Sequence, residues 1–342
     1  GFRRTRQIAL SSLYNSIGGM TISALIYYYI GQRGIPYAIA LCALLPLIVS
    51  WYFSRDIKPN IGGKYNVKEI VSKGNPMIFL GIMLVLSYLM DSVVANILNI
   101  VIRMKGSMSD VGLYQAAMSI SAMSINMVFV AIANDYYPKL SNACNNKVNM
   151  NMTINSQLFI ATLLIAPILA FMVVFSSLLI QVFLSIEFLK IETFIHWILF
   201  GALFMAISWC LYYVPLAYGH SKRFISLTKV SMQLLLQIPF FLFGGLIGLS
   251  VGNAITAIIY AIIMYAYSYR RYGVRIKTEN IYLQLFFFVL FLILIIARIK
   301  CLFVLQLAIL SVVVVLSLCL LIKSTDVKGV ILSKILKNEK NN

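Results

Sequence analysis

The sequence predicts an all-α polytopic membrane protein of about ten transmembrane helices, on three observations. Of its 342 residues, 61% are hydrophobic and only 11% charged, whereas a soluble domain has about 45–50% apolar and about 25% charged residues. Apolar runs long enough to cross about 30 Å of hydrocarbon recur along the whole chain. The charge is one-sided, with 28 Lys and Arg against 10 Asp and Glu and a formal net charge of +18, and its distribution follows the loops. No segment shows strand alternation at barrel length, so a helical bundle is favoured over a barrel.

The expected spans are residues 9–30, 35–53, 77–102, 113–134, 155–180, 193–216, 224–246, 251–269, 282–297 and 302–322. Counted from the N-terminal side across alternating loops, 21 of the 28 basic residues fall on one side and 6 on the other, with Lys229 inside the seventh span. That is the positive-inside pattern, and it places both ends of the chain in the cytoplasm of a multi-pass inner-membrane protein. The basic residues lie in short separate loops beside spans, with no basic face interleaved by stacking aromatics, which excludes nucleic acid as the partner and leaves the lipid bilayer. Five cysteines without a CxxC spacing, and two distant histidines, support neither a disulfide framework nor a metal site.

An internal repeat organises the spans. Shifted by 214 positions, Gly31 falls on Gly245, Gly34 on Gly248, Ala40 on Ala254 and Ser54 on Ser268. Both helix pairs start on the same side, so the repeat is parallel, a pseudo-two-fold about the membrane normal. The expected layout is the last two helices of an N-terminal lobe (1–56), a cytoplasmic linker (57–76), a complete six-helix lobe (77–270), an additional helix pair (271–322) and a basic tail (323–342). The chain opens on Gly1 rather than Met, and four further helices of the first lobe are expected upstream.

Acids are scarce, and Asp91 alone sits mid-span. A carboxylate there costs about 2.5–3.5 kcal/mol on insertion scales and is expected to face protein or water. At 100° per residue Ser87, Tyr88, Asp91, Ser92, Asn96, Asn99 and Arg103 share one half of the helix, opposite an apolar half. Asp91 is either a carrier of a coupling ion, H+ or Na+, or a protonated acid that glues two helices. The next span adds Gln115 and Asn126, with serines that suit either cavity or close packing. Lys229, Gln233 and Gln237 recur at one-turn spacing on the seventh, where Lys229 either binds ligand or snorkels to the boundary. Asp135-Tyr136-Tyr137-Pro138-Lys139 stands where the fourth span meets the cytoplasm. Pro138 would stop the helix, the tyrosines would anchor at the interface, and Asp135 could latch a basic loop as part of a cytoplasmic gate. No organic cofactor and no catalytic residue are expected.

The segment VGLYQAAMSISAMSINMVFVAIANDYYPKLS, Val111 to Ser141, resembles the signature region of the O-antigen and polysaccharide flippases (Wzx type). These belong to the superfamily that also holds multidrug antiporters and lipid II flippases. NSQLFIATLLIAPI at 155–168, the stretch from Glu187 and GLIGLSVGNA at 245–254 continue the resemblance in order, its most specific parts being Gly112-Leu113-Tyr114-Gln115 and Asp135-Tyr136-Tyr137-Pro138. The resemblance implies two six-helix lobes around a central cavity and alternating access. It implies a polyprenyl-diphosphate-linked oligosaccharide as substrate, in O-antigen, lipopolysaccharide or other surface polysaccharide biosynthesis, with a polysaccharide polymerase and a chain-length protein as partners. The diphosphate would need cavity cations, expected from the upstream helices. Two rival readings are a drug or metabolite cation antiporter of the same superfamily and a membrane-bound polymerase or acyltransferase. The latter is disfavoured by outer loops of about ten residues or fewer and the lack of an acid/base cluster.

Overall fold

The computed structural model describes residues 5–55, 67–218 and 223–323. Among these, regular structure is helical throughout: α1 (Thr5–Ile30), α2 (Ile35–Ser54), α3 (Val67–Lys105), α4 (Met108–Ala143), α5 (Lys147–Val174), α6 (Ser176–Phe183), α7 (Glu192–Ala217), α8 (Arg223–Tyr272), α9 (Thr278–Ile299) and α10 (Phe303–Lys323). A helix overlies each expected span. Seven helical runs among the described residues are long and apolar enough to cross a bilayer. One of them, Leu227–Tyr272, has 46 residues, which at 1.5 Å per residue is more than twice the hydrocarbon thickness, so it must fold back.

The fold-back is at Gly245, whose φ of 57° and ψ of −142° lie outside helical values. Around it the two legs of α8 pack antiparallel: Gln237 Nε2 donates to Asn253 Oδ1 at 3.1 Å, and Gly252 lies against Phe240. α8 therefore covers both the seventh and the eighth expected spans.

The chain divides into two compact units, residues 1–73 and 74–342. In the first, α1 and α2 form a hairpin about Gly31, itself at φ 64°, with Gly18 against Leu45 and Gly19 against Cys42. In the second, α5 is the axis. It packs against α4, α7, α9 and α10, and Ala161, Leu163, Ala166, Leu169 and Ala170 are fully shielded. On α7, Gly201 admits the backbone of Ala254, to which a Cβ would come within 2.8 Å. A separate cluster joins Val94, Leu98 and Ile102 of α3 to Tyr114 of α4 and Phe241 and Leu249 of α8. Their spacing of four gives α3 a protein-facing stripe.

Several boundaries differ from expectation. α3 begins at Val67, so the second half of the expected 57–76 linker is helix; Val67 to Lys73 contains no breaker. Residues 57–66 of that linker and 324–342 of the tail lie outside the described residues. α4 does not stop at Pro138 but runs on to Ala143. Tyr136 and Leu140, both wholly buried on either side of it, hold the helix in place against the lost hydrogen bond. The fifth expected span breaks at Phe175, where α6 begins. Asp110, expected in a loop, closes a capping box with Ser107 at the start of α4.

The turn at Gly245 is testable. A Cβ at that conformation costs about 1–3 kcal/mol, and one at Gly248 would lie 2.0 Å from the Phe240 carbonyl oxygen. Gly245→Ala and Gly248→Ala should each lower the melting temperature of the detergent-purified protein, while Gly244→Ala, which meets open space, should leave it unchanged.

Candidate functional site

The polar half of α3 meets α4 and α8. Lys229 Nζ donates to both oxygens of Asp91, at 2.9 and 3.0 Å. The two side chains keep 35% and 42% of their surface, so the pair is screened on one side and open on the other. Asp91 thus has a basic partner on α8, and Lys229 is directed at that carboxylate. The lysine stem, rising from the first turns of α8, carries its ammonium to the carboxylate.

Two turns further along α3, Gln115 of α4 donates through Nε2 to Asn99 Oδ1 at 2.9 Å. Asn96 turns its amide to the Ser92 carbonyl of its own helix at 2.9 Å. Arg103 is exposed near the end of α3, and Asn126 is exposed on α4. Both glutamines of α8 have a buried Oε1 without a hydrogen-bond partner, but Gln237, 1% exposed, also ties the two legs of the hairpin together by donating through Nε2 to Asn253. Gln237 is therefore a packing residue rather than part of the open face.

The Asp135–Lys139 region behaves differently from the expected gate. Asp135 pairs with Lys139 of its own helix at 2.6 Å, both about two-thirds exposed, so the described contact is a local i,i+4 pair and not a latch to a loop. Tyr136 is no interfacial anchor. It is wholly buried, donates its hydroxyl to the Cys210 carbonyl at 2.9 Å, and stacks on Trp209. Tyr137 is half-buried with its ring beside Tyr213, and Pro138 is exposed within the helix.

A second polar cluster was missed by sequence reasoning. Arg298 of α9 pairs with Glu192 of α7 and donates to Ser177 of α6 and Gln306 of α10. Beside it, Ser176 and His196 share a buried hydrogen bond of 3.1 Å. Arg298 lies more than 100 residues from Ser177 and Glu192, so no local spacing announces that tie. Among the described residues no group of His, Cys, Asp and Glu is arranged to hold a metal ion.

A chain with seven helical runs long and apolar enough to cross a bilayer among its described residues is a multi-pass membrane protein. Residues 5–193 match the family model described as polysaccharide biosynthesis protein, and the chain belongs to that family. No curated protein matches it in sequence. Among solved structures, the lipid II flippase MurJ in its inward closed conformation shares the fold, with a TM-score of 0.61 and 16% identity over 90% of this chain. This chain spans 66% of the MurJ chain, just under two thirds of its length.

The ion pair can be checked by a double-mutant cycle. Asp91→Asn and Lys229→Met should each lower the melting temperature, with a coupling of about 1 kcal/mol between them given the partial exposure. The exchanged pair Asp91→Lys with Lys229→Asp should recover part of the loss.

Proposed function

We propose that the chain works as a flippase-type transporter for a lipid-linked oligosaccharide, carried on polyprenyl diphosphate, in surface polysaccharide export such as O-antigen assembly. The observation that carries this reading is the half-open Asp91–Lys229 pair on the polar face of α3, in a chain of the polysaccharide biosynthesis family with the fold of a lipid flippase. The basic loops argue for the inner membrane with both ends of this chain cytoplasmic, beside a polymerase and a chain-length partner.

The geometry suggests how the two halves of a transport cycle connect. A diphosphate is a strong acceptor for a lysine ammonium, and Lys229 is already held by Asp91. Substrate that takes Lys229 leaves the carboxylate without its counter-charge, which costs about 2.5–3.5 kcal/mol within a span. Asp91 meets that cost by taking up a proton or Na+ from solution. Release of the substrate restores the pair and expels the ion. Asn96 and Asn99 of α3 and Gln115 of α4 offer hydrogen bonds to sugar hydroxyls. No organic cofactor enters the cycle.

The expected lack of an acid/base cluster supports a transporter over an enzyme; of the acids near the ends of spans, Asp110 caps α4 and Glu192 is held by Arg298.

In cells carrying the complete gene, Asp91→Asn and Lys229→Gln should each reduce surface polysaccharide about tenfold or more, with lipid-linked repeat units accumulating on the cytoplasmic side. Resistance to cationic dyes should not change. Wild-type polysaccharide output from both variants would remove the pair from the mechanism, and dye efflux that depends on Asp91 would favour a drug antiporter.

A further inference from the structure

At the Lys-rich end of the second unit, a cavity of about 690 Å³ opens between the last turns of α4, the first half of α5 and the start of α9. It lies outside the polar face of α3, and none of the transport reading above depends on it.

The cavity is held open by a built framework. The extended segment before α9 is pinned along α5 by two asparagines one turn apart. Asn151 accepts from the Arg275 N–H at 2.8 Å and donates to the Gly273 carbonyl at 3.3 Å. Asn155 accepts from the Lys277 N–H at 2.6 Å and donates to the Arg275 carbonyl at 2.7 Å. Asn280 closes the array by donating to both the side chain and the carbonyl of Asn155, each at 3.0 Å. These bonds fix where Lys277 and Glu279 stand relative to α5.

Within this framework several donors await an acceptor. α9 starts at Thr278 with no side-chain cap from Lys277; the Asn280 N–H is taken by the Lys277 carbonyl, and those of Thr278 and Glu279, which have no acceptor within the helix, carry their partial positive charge uncapped. Gln157 also lines the cavity. It is only 8% exposed, and its Nε2 has no hydrogen-bond partner, an unfavourable state that a ligand or water relieves. Lys277 adds a full positive charge to the same wall.

The cavity is nonetheless not a simple anion site. Lys139 and Lys277 are balanced by Asp135 and Glu279, and Lys139 is already paired with Asp135. A doubly charged anion would meet Glu279 unfavourably. A ligand carrying both a phosphate and an ammonium satisfies both sets of groups, and Met152, Phe159 and Ile160 supply an apolar wall beside them.

We propose that this cavity binds a zwitterionic aminoalkyl-phosphate group, the headgroup chemistry of phosphatidylethanolamine. Its phosphate accepts from Gln157, Lys277 and the start of α9, and its ammonium donates to Glu279. Occupancy bridges α5 and the start of α9 through Gln157, Lys277 and Glu279.

The test is native mass spectrometry of the full chain released from nanodiscs of phosphatidylethanolamine, phosphatidylcholine and phosphatidylglycerol in equal amounts. Phosphatidylethanolamine should be retained about tenfold over the other two, the ratio expected from charge-assisted hydrogen bonds that a trimethylammonium or glycerol headgroup cannot replace. Gln157→Leu and Lys277→Ala should abolish that preference at unchanged melting temperature. Lys300→Ala, at the far end of α9, should keep it. Should both cavity variants misfold, Glu279→Gln, an exposed position, tests the ammonium half and should equalise phosphatidylethanolamine and phosphatidylcholine. Displacement of the lipid by millimolar glycerophosphoethanolamine would identify a soluble source for the same group, and retention identifies the bilayer. Equal retention of the three lipids by the unmodified chain, or a preference that survives both cavity variants, overturns the proposal.

Discussion

A polar group in hydrocarbon must find its partner inside the protein, and most of this architecture follows from that requirement. The backbone meets it by forming helices. Polar side chains then meet it between helices, where hydrophobic attraction gives no preference for one neighbour over another because lipid is as apolar as leucine. Several junctions around the α5 axis, those involving α9 above all, accordingly carry a specific polar tie. Thr162 of α5 donates to Gln284 of α9, which in turn donates to the Leu203 carbonyl of α7. Asn155 holds the segment before α9, and Gln306 of α10 donates to the Ala297 carbonyl of α9. The Arg298–Glu192 pair joins α9 to α7. Apolar burial sets how closely the helices approach, and the polar ties decide which helix stands beside which.

The same requirement separates what was legible in the sequence from what was not. Spans are local, and a helix overlies each expected one because hydropathy marks them, while the helix ends run up to about ten residues past the apolar runs. The polar half of α3 was readable from its periodicity. The turns at Gly31 and Gly245 were readable as a repeated Gly-x-x-Gly, and in both hairpins the first glycine has positive φ while the second packs against the residue eight positions earlier, Ile26 or Phe240. Ties between distant segments were not readable. Glu192 looked like a loop acid, and nothing near it in sequence points to Arg298. Tyr136, beside a proline and two charged residues, looked interfacial because its local surroundings are polar; its burial depends on Trp209 and Cys210, more than 70 residues away. Lys229 was unreadable for a different reason, the length of its stem. A flexible four-carbon chain can end at the boundary or near the middle of a span, and only the position of Asp91 decides between them.

The pairing of the two charges changes what each can do. A lone Asp91 would have its ionisation governed by desolvation, and a lone Lys229 would be a permanent anion trap. Held within 3.0 Å of each other, they form a unit with no net charge whose members are each available only when the other is neutralised. In the transport reading proposed above, uptake of a proton or Na+ by Asp91 frees Lys229 and strengthens anion binding there. Anion binding must favour ion uptake by the same factor, since the coupling of two binding equilibria is reciprocal. The sign of this linkage follows from the geometry alone: ion and anionic substrate load together and leave together. A carrier built on this pair therefore moves its anion with the ion rather than against it through this lobe. Any exchange in the opposite sense requires charged groups beyond Asp91 and Lys229.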